Sequence, residues 1–381
     1  MNKKEIYDLT YITIDSLSEG VGSSQITPLV SILSKNGLKI NLISFEKVEP
    51  TNFLQQHLKK LGVHWNFQEF GSAGIIGGVE RLNVLRRAIP VTRLIHARSD
   101  IPAVSGITSN EGPVLWDVRS LWADQKVLIE KSRTNMSLYH LYRGLESIAA
   151  RKSIAMSTLT SAVVPILESR HRKLPQLRAV VPTAVNLDRF RVGTTLPAVV
   201  CALFSGTYNE YYDLDLSALF MNELRKKIKV DAHWARPLES NRTIIGVGES
   251  RVFPATQSEM AEIIPNYSFG LAICKLDAGP SLTASMPTKI GEFLACGRPV
   301  VVNKGLGDMD QFIEEYNVGV VLNGESSNTE KGASKLVNLL SDPETPSRCR
   351  ALAEKYFSMH VGAHRYLELY SKMLPPQTKA L

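Results

Sequence analysis

Short apolar runs alternate along the first half of the chain with longer stretches whose apolar residues recur every three or four positions. The short runs predict strands at residues 6–14, 39–45, 63–67, 93–97 and 114–118, and the longer stretches predict amphipathic helices. Strands separated by helices are typical of parallel sheets that are covered on both faces. The pattern therefore predicts an α/β fold.

A second series of the same kind begins near residue 199, after a linker at residues 182–197 that contains two prolines and has no helical period. Its strands are predicted at residues 199–205, 230–235, 243–247, 268–274, 299–303 and 319–322. The sequence thus predicts two facing, Rossmann-like, doubly wound domains with a cleft between them. Their predicted bounds are 1–190 for the N-terminal domain and 198–358 for the C-terminal domain, with a helix in 359–381 packing back on the N-terminal domain.

Composition adds that the protein is globular and that no transmembrane helix is expected. Hydrophobic residues make up 44% of the 381 residues and charged residues 21%, and no stretch of eighteen uncharged apolar residues occurs. The first residues lack the apolar core of a signal peptide. The four cysteines show no CxxC spacing and no disulfide framework, which favours reduced thiols in a cytoplasmic protein.

The positive charge lies in the first half. Residues 1–190 contain 24 basic and 16 acidic side chains, a net charge of +8, whereas residues 191–381 contain 20 and 21, a net charge of −1. A basic surface suits anionic lipid head groups, nucleic acid or a phosphorylated substrate. It is equally compatible with a soluble domain that is merely basic.

A glycine loop, residues 19–25 (EGVGSSQ), follows the first predicted strand and opens a helix. Gly20 and Gly22 allow the backbone to approach a ligand closely, and the free N–H groups near Ser23 favour an anion such as a phosphate. The third glycine of the dinucleotide fingerprint is absent. An ordinary tight turn between strand and helix is the alternative interpretation.

The segment 285–303 (SMPTKIGEFLACGRPVVVN) carries the most specific pattern of the chain. It predicts a helix that ends at Gly297 and is followed by a buried strand. Lys289 and Glu292 lie three residues apart on one face of that helix, where the lysine can reach a phosphate and the carboxylate can accept hydrogen bonds from a ribose diol. A simple ion pair on a solvated helix has the same spacing.

This segment resembles the nucleotide-sugar signature of family-4 glycosyltransferases, which have the two-domain GT-B fold. The resemblance extends over most of the chain: further similar blocks are residues 20–25, 96–99 (HARS), 117–124 (DVRSLWAD), 181–190 and 305–308 (GLGD). It implies transfer of a sugar from a nucleotide-diphosphate sugar to a surface-polysaccharide or lipid-linked oligosaccharide acceptor, with retention of configuration and without a metal or other cofactor. A sugar-nucleotide epimerase and an inactive partner of another transferase are the alternatives.

The resemblance also assigns roles to residues. It implies His96, Lys289 and Glu292 as catalytic residues. It implies a donor site formed by Gly20, Gly22, Ser23, Gly206, Thr207, Lys289 and Glu292. On the acceptor side it implies Arg98, Asp117 and Arg119.

Two departures from the family pattern concern the diphosphate. The loop 205–215 has no basic residue where the family carries an Arg and a Lys, and Ala284 stands where the earlier glutamate of the family's E-x7-E pair is expected. Either Lys289, with Arg236 or Arg98, replaces the missing cations, or the chain has lost activity. The two DxD triplets, 213–215 and 308–310, lie at predicted helix starts, where carboxylates are common without a metal.

The expected partners are a nucleotide sugar, the acceptor glycan and an anionic membrane. No zinc, RNP or helix-turn-helix signature indicates a nucleic-acid partner. The expected location is the inner face of the cell membrane, with peripheral attachment through basic residues that include Arg170, Arg172 and Lys173.

Overall fold

Two parallel sheets, one in each half of the chain, form the framework of the computed structural model, which describes residues 6–130, 133–193, 199–206, 211–236 and 251–374. Every strand pairing within the two sheets is parallel, and helices connect successive strands. The prediction of an α/β fold with two doubly wound domains is confirmed.

The first sheet has seven strands in the order β3-β2-β1-β4-β5-β6-β7. Its strands are β1 (Leu9–Ile12), β2 (Ile40–Glu46), β3 (His64–Glu69), β4 (Ile95–Arg98), β5 (Val114–Val118), β6 (Ala155–Thr158) and β7 (Leu177–Val180). Its helices are α1 (Thr27–Lys35), α2 (Asn52–Lys60), α3 (Gly74–Ala88), α4 (Asp100–Ser109), α5 (Trp122–Glu130), α6 (Arg133–Lys152) and α7 (Val164–Arg170). Strand order reverses between β1 and β4, and a ligand crevice is expected at this point.

The second sheet has six strands in the order β10-β9-β8-β11-β12-β13. Its strands are β8 (Val200–Ser205), β9 (Val230–Arg236), β10 (Arg251–Pro254), β11 (Phe269–Ala272), β12 (Val300–Asn303) and β13 (Gly319–Leu322). The remaining helices are α8 (Leu214–Arg225), α9 (Met260–Ile263), α10 (Pro280–Thr283), α11 (Thr288–Ala295), α12 (Met309–Tyr316), α13 (Ser326–Ser341), α14 (Thr345–Leu352) and α15 (Met359–Met373). Strand order reverses between β8 and β11. The strand predicted at 243–247 lies outside the described residues.

The last helix, α15, crosses to the first sheet. Its buried side chains, including Met359, Tyr366 and Leu369, join the core that contains Leu9 and Tyr11 of β1. Burying apolar area is the main favourable term in folding, so this contact makes α15 part of the N-terminal core. The four cysteines are buried and free, as the sequence predicts.

Direct hydrogen bonds join the two domains. The Asp308 carboxylate accepts from the backbone N–H of Ser161 (2.7 Å) and of Ala162 (2.9 Å) and from the Ser161 hydroxyl (2.9 Å). The Thr183 hydroxyl donates to the carbonyl of Met286 at 2.9 Å, just before α11. Among the helices of the described ranges, none combines the length and apolar character needed to cross a bilayer.

Candidate functional site

Lys289 stands in the first turn of α11, where the helix begins next to the end of β8. Its ammonium lies 4.2 Å from the centroid of the Tyr212 ring, a cation–π contact. A Cβ built on Gly206, which follows β8 with a φ of +97°, would lie 3.6 Å from the same ammonium. No acidic side chain in the described part of the chain forms an ion pair with Lys289.

Glu292 lies one turn further along α11 and is 4% exposed. Burial raises the pKa of its carboxyl to about 7, although the hydrogen bond from Gln257 and the nearby ammonium of Lys289 favour the ionised form. The Gln257 amide donates to Glu292 Oε1 at 2.6 Å. Lys289 and Glu292 do not form the ion pair that was the alternative interpretation of their spacing.

The glycine loop forms a tight turn that leads into a π-helical segment, Gly22–Ile26, before α1. Gly20 has a φ of +52° and faces open space. Gly22 is different, because a Cβ there would lie 1.8 Å from the Ser16 carbonyl oxygen. Its missing side chain makes room for the chain's own backbone, a correction to the prediction that both glycines admit a ligand. The Ser23 hydroxyl donates to the Gly20 carbonyl at 3.0 Å.

His96, in the middle of the N-terminal sheet on β4, has no exposed surface. Its Nδ1 lies 2.6 Å from the hydroxyl of Tyr370, and its Nε2 lies 3.3 Å from Asp117 Oδ2. Burial lowers the pKa of the imidazole, against the opposing effect of Asp117. The catalytic role that the resemblance implies for His96 stays a prediction, and here α15 covers the ring with Tyr366 and Tyr370.

Asp117, Arg98 and Arg119, the residues predicted for the acceptor side, lie together at the ends of β4 and β5. Arg98 donates to Asp15 at 2.8 Å and lies 3.7 Å from Asp117. Burial alone would raise the pKa of Asp117, but Arg119, His96 and Arg98 hold it well below its usual range. The Tyr366 hydroxyl of α15 donates to Asp117 at 3.1 Å. The carboxylate is therefore ionised in a group of balanced charges.

A small cavity adjoins this group, between the N-terminal sheet, the linker and α15. It is lined on the sheet side by Gln25, Arg98 and Arg119 and on the other side by Pro182 and Tyr366, among others. The Gln25 amide exchanges two hydrogen bonds with the backbone of Ala184, at 2.8 and 2.9 Å. The glycine loop is thereby attached directly to the linker.

Three of the four carboxylates in the DxD triplets have structural partners. Asp213 caps α8 by accepting from the Leu216 N–H at 2.9 Å, Asp310 accepts from the Gly305 N–H at 3.1 Å, and Asp308 joins the domains. In the described part of the chain, His, Cys, Asp and Glu side chains form no group of three that could hold a metal ion. Thr207, predicted at the donor site, lies outside the described residues.

The predicted residues therefore form two groups. On the C-terminal domain, Gly206, Lys289 and Glu292 come together with Tyr212 and also with Gln257, a residue that sequence analysis did not assign. On the N-terminal domain, the glycine loop lies after β1. The His96–Asp117 group lies on β4 and β5, where α15 covers it. Both groups lie at the carboxyl ends of parallel strands, where α/β folds bind their ligands.

Known proteins resemble this chain in structure rather than in sequence. No protein-family model matches the sequence, and no curated protein is similar to it. Solved structures do match. A glycosyltransferase from Rickettsia africae ESF-5 is 14% identical, with a TM-score of 0.68 over 99% of this chain and 100% of its own. Anabaena HepE in complex with UDP-glucose is 12% identical, with a TM-score of 0.64 over 96% and 99%. Sucrose-phosphate synthase from Thermosynechococcus elongatus is 13% identical, with a TM-score of 0.66 over 96% and 98%.

The chain has the GT-B fold. In this GT-B protein the carboxyl ends of the two sheets carry the two groups of polar residues described above. The group on the N-terminal domain lies at the switch point between β1 and β4, and the group on the C-terminal domain lies at the switch point between β8 and β11. Lys289 and Glu292 belong to the group on the C-terminal domain, where Lys289 lies beside Gly206 at the end of β8.

Proposed function

We propose that this protein is a glycosyltransferase that takes a sugar from a nucleotide-diphosphate sugar bound between its domains. The observation that carries the proposal is Lys289, a half-buried cation at a helix start beside the positive-φ Gly206 and one turn from the buried Glu292. A cation at a helix N-terminus favours a phosphate group. The structural neighbours are glycosyltransferases, and one of them, HepE, is described in complex with UDP-glucose.

Lys289, the glycine loop and Glu292 have different roles in this reaction. The Lys289 ammonium and the backbone N–H groups of residues 20–23 stabilise the diphosphate as it leaves and as the anomeric carbon becomes oxocarbenium-like. Glu292 accepts hydrogen bonds from the ribose, replacing the one that it accepts from Gln257. Retention of configuration and a reaction without a metal belong to this proposal, together with membership of family 4, since residues 287–301 carry that signature.

On the acceptor side we propose a glycan or lipid-linked oligosaccharide. The residues near the cavity, Arg98, Asp117 and Arg119, shape the floor of the cleft on the N-terminal domain. His96 acts there by fixing Asp117 from below, since its ring is covered by Tyr366 and Tyr370. A direct contact between His96 and the donor sugar would require α15 to move. Peripheral attachment to an anionic membrane at its cytoplasmic face completes the proposal.

The test is release of nucleoside diphosphate from a panel of nucleotide sugars, with and without total lipid-linked glycan extract as acceptor. We expect slow hydrolysis of one donor by the wild type, and loss of it in Lys289→Ala. Lys331→Ala, which removes an exposed cation on α13, is the matched control. If no nucleotide sugar binds or reacts, the proposed function is wrong.

A second candidate, a GT-B partner protein without activity of its own, is favoured by one observation. The C-terminal loop 205–215 has no basic residue, so Lys289 faces the diphosphate without the Arg and the Lys that the family carries in that loop. Donor binding without hydrolysis or transfer would support this candidate. Conversion of a bound nucleotide sugar into its epimer, followed by nuclear magnetic resonance, would instead indicate an epimerase.

A further inference from the structure

Glu46, the last residue of β2, has its carboxylate buried among hydrogen-bond donors and is 3% exposed. Three donors come from the chain just after β1: the Ser16 hydroxyl at 2.5 Å, the Leu17 N–H at 2.9 Å and the Ser18 hydroxyl at 3.0 Å. The Ser18 N–H adds a longer contact at 3.4 Å, and the Ser44 hydroxyl donates at 2.7 Å. The carboxylate therefore attaches residues 16–18 to the neighbouring strand.

The attached residues determine the position of the glycine loop. The Ser16 carbonyl lies against the α-carbon of Gly22, so closely that a Cβ there would be 1.8 Å away. Residues 16–18 therefore form the surface on which the turn at Gly22 rests. A displacement of residues 16–18 would move the backbone N–H groups of residues 20–23 with them.

We propose that Glu46 is a positioning residue for the glycine loop, which fixes the direction in which the loop's N–H groups meet the diphosphate. The inference rests on the proposed function, because it assumes that the loop binds a diphosphate. Donors that are aligned before binding stabilise charge without the cost of reorganisation, whereas a loop that must be ordered on binding loses affinity.

The chemistry of the carboxylate accounts for the choice of residue. An ionised carboxylate is an acceptor at both oxygens, and all its partners here are donors. A glutamine would place an NH2 group, itself a donor, against at least one of these N–H or hydroxyl groups. Glu46→Gln keeps the shape of the side chain and removes this match.

The experiment compares Glu46→Gln with Glu49→Gln, which changes an exposed carboxylate three residues away on the same connection. Affinities of the full-length protein for UDP, GDP, ADP and dTDP, and for the corresponding monophosphates, are measured by calorimetry. We expect Glu46→Gln to lower the affinity for the diphosphate that the wild type binds by at least about tenfold. The monophosphate should change by less than about twofold, because Lys289 and Glu292 of the other domain remain intact. Glu49→Gln should match the wild type.

If Glu46 had a purely structural role, the substitution would lower the affinities for diphosphate and monophosphate alike. Either this result or an unchanged diphosphate affinity in a folded variant overturns the inference. If Glu46→Gln does not fold, the double variant Ser16→Ala/Ser18→Ala is used instead, because it removes two donors and keeps the carboxylate. It should show the same selective loss of diphosphate affinity. A wild type that binds none of the diphosphates would refute the proposed function itself. A wild type that binds one, with no selective loss in either variant, would refute only the role of Glu46.

Discussion

Lys289 is held in place by an aromatic face, since its ammonium lies over Tyr212 and the described part of the chain offers it no carboxylate. Its charge is thus available for a ligand. We expect Lys289→Ala to lower turnover by about 10²–10³-fold, the range found when one transition-state donor is removed. Lys289→Arg should restore part of the rate, because a guanidinium differs in shape and reach. Steady-state donor hydrolysis measures both, and full activity in the alanine variant would place the diphosphate elsewhere.

Glu292 predicts a pH dependence of donor binding. Burial raises the pKa of its carboxyl to about 7, so the residue is largely protonated at pH 6 and ionised at pH 8. An ionised carboxylate accepts ribose hydroxyls better, and donor affinity should therefore rise about three- to tenfold over this range. Glu292→Gln should bind more weakly at pH 8 and show little pH dependence. Calorimetry at both pH values tests this, with Glu314→Gln on α12 as control.

The same carboxyl affects stability with a definite sign. Because its pKa is higher in the folded than in the unfolded protein, the folded state holds the proton more tightly, and stability falls as pH rises from about 4.5 to 7. Glu292→Gln should therefore be more stable than the wild type at pH 8, by about 1–3 kcal/mol in chemical denaturation. A destabilised variant at pH 8 would contradict the burial cost.

At this scale the sequence identified residues that are neighbours along one helix. Lys289 and Glu292 could be found because their segment resembles a nucleotide-sugar signature, and a three-residue spacing places them on one face of α11. Glu46 and Gln257 could not, since their partners lie about thirty residues away and the contact exists only after folding. The burial of His96 was also beyond the sequence, because the tyrosines that cover it come from the far end of the chain.

Among the structural elements, the turn at Gly22 leaves no room for a side chain. A Cβ at position 22 would overlap the Ser16 carbonyl, so Gly22→Ala must displace the backbone and should cost about 3 kcal/mol, the upper end of the usual range for overpacking. Gly20→Ala meets open space and carries only the cost of its positive φ, about 1 kcal/mol. Chemical denaturation of the two variants measures the difference. Equal losses would mean that the turn adapts.

Most strands and the helices with a regular apolar face could be predicted, and β13 agrees with the predicted bounds residue for residue. Strand β10 was not predicted. Helices α4, α5 and α7 were missed. The α4 sequence contains Pro102 and Gly106, and α4 has little amphipathic character because it is buried on several sides. The periodicity of apolar residues reveals a helix only when one of its faces is exposed to solvent and the other is buried.

The basic elements of the N-terminal domain need a correction. Arg170, predicted to meet a membrane, forms two hydrogen bonds with Asp124 at 2.7 and 2.8 Å, and Arg81 is buried under Phe70. Arg172 and Lys173 remain exposed, as do Arg86 and Arg87 at the end of α3. The first turn of α3 also exposes Ile76 to 71%. Fewer cations are therefore available to meet a membrane than the sequence suggested.

We expect peripheral binding to anionic vesicles that weakens with salt, each cation contributing about 1 kcal/mol near the surface. The charge reversal Arg172→Glu/Lys173→Glu should weaken it, whereas Lys227→Glu/Lys229→Glu on the C-terminal domain makes the same charge change and should not. Vesicle sedimentation measures both. Binding that is insensitive to salt would instead indicate insertion of apolar side chains such as Ile76.

In the whole molecule, Asp308 is the most direct link between the domains, with three hydrogen bonds to residues 161 and 162. Hydrogen bonds to a charged group contribute about 1.5–3 kcal/mol. Asp308→Ala should therefore favour a more open cleft, seen as a larger radius of gyration in small-angle X-ray scattering, and should weaken donor binding. The exposed Asp277→Ala is the control. An unchanged radius would mean that the other contacts between the domains suffice.

The position of α15 determines when the protein can finish folding. Its residues belong to the last part of the chain, yet they cover Leu9, Tyr11 and His96 in the first sheet. During synthesis the ribosome makes the ends of this core more than three hundred residues apart, so β1 to β7 must wait, with an apolar face exposed, until the C-terminal domain has been made. The N-terminal domain, first to be translated, is therefore the last to be completed, and during that delay it is the part most in need of a chaperone.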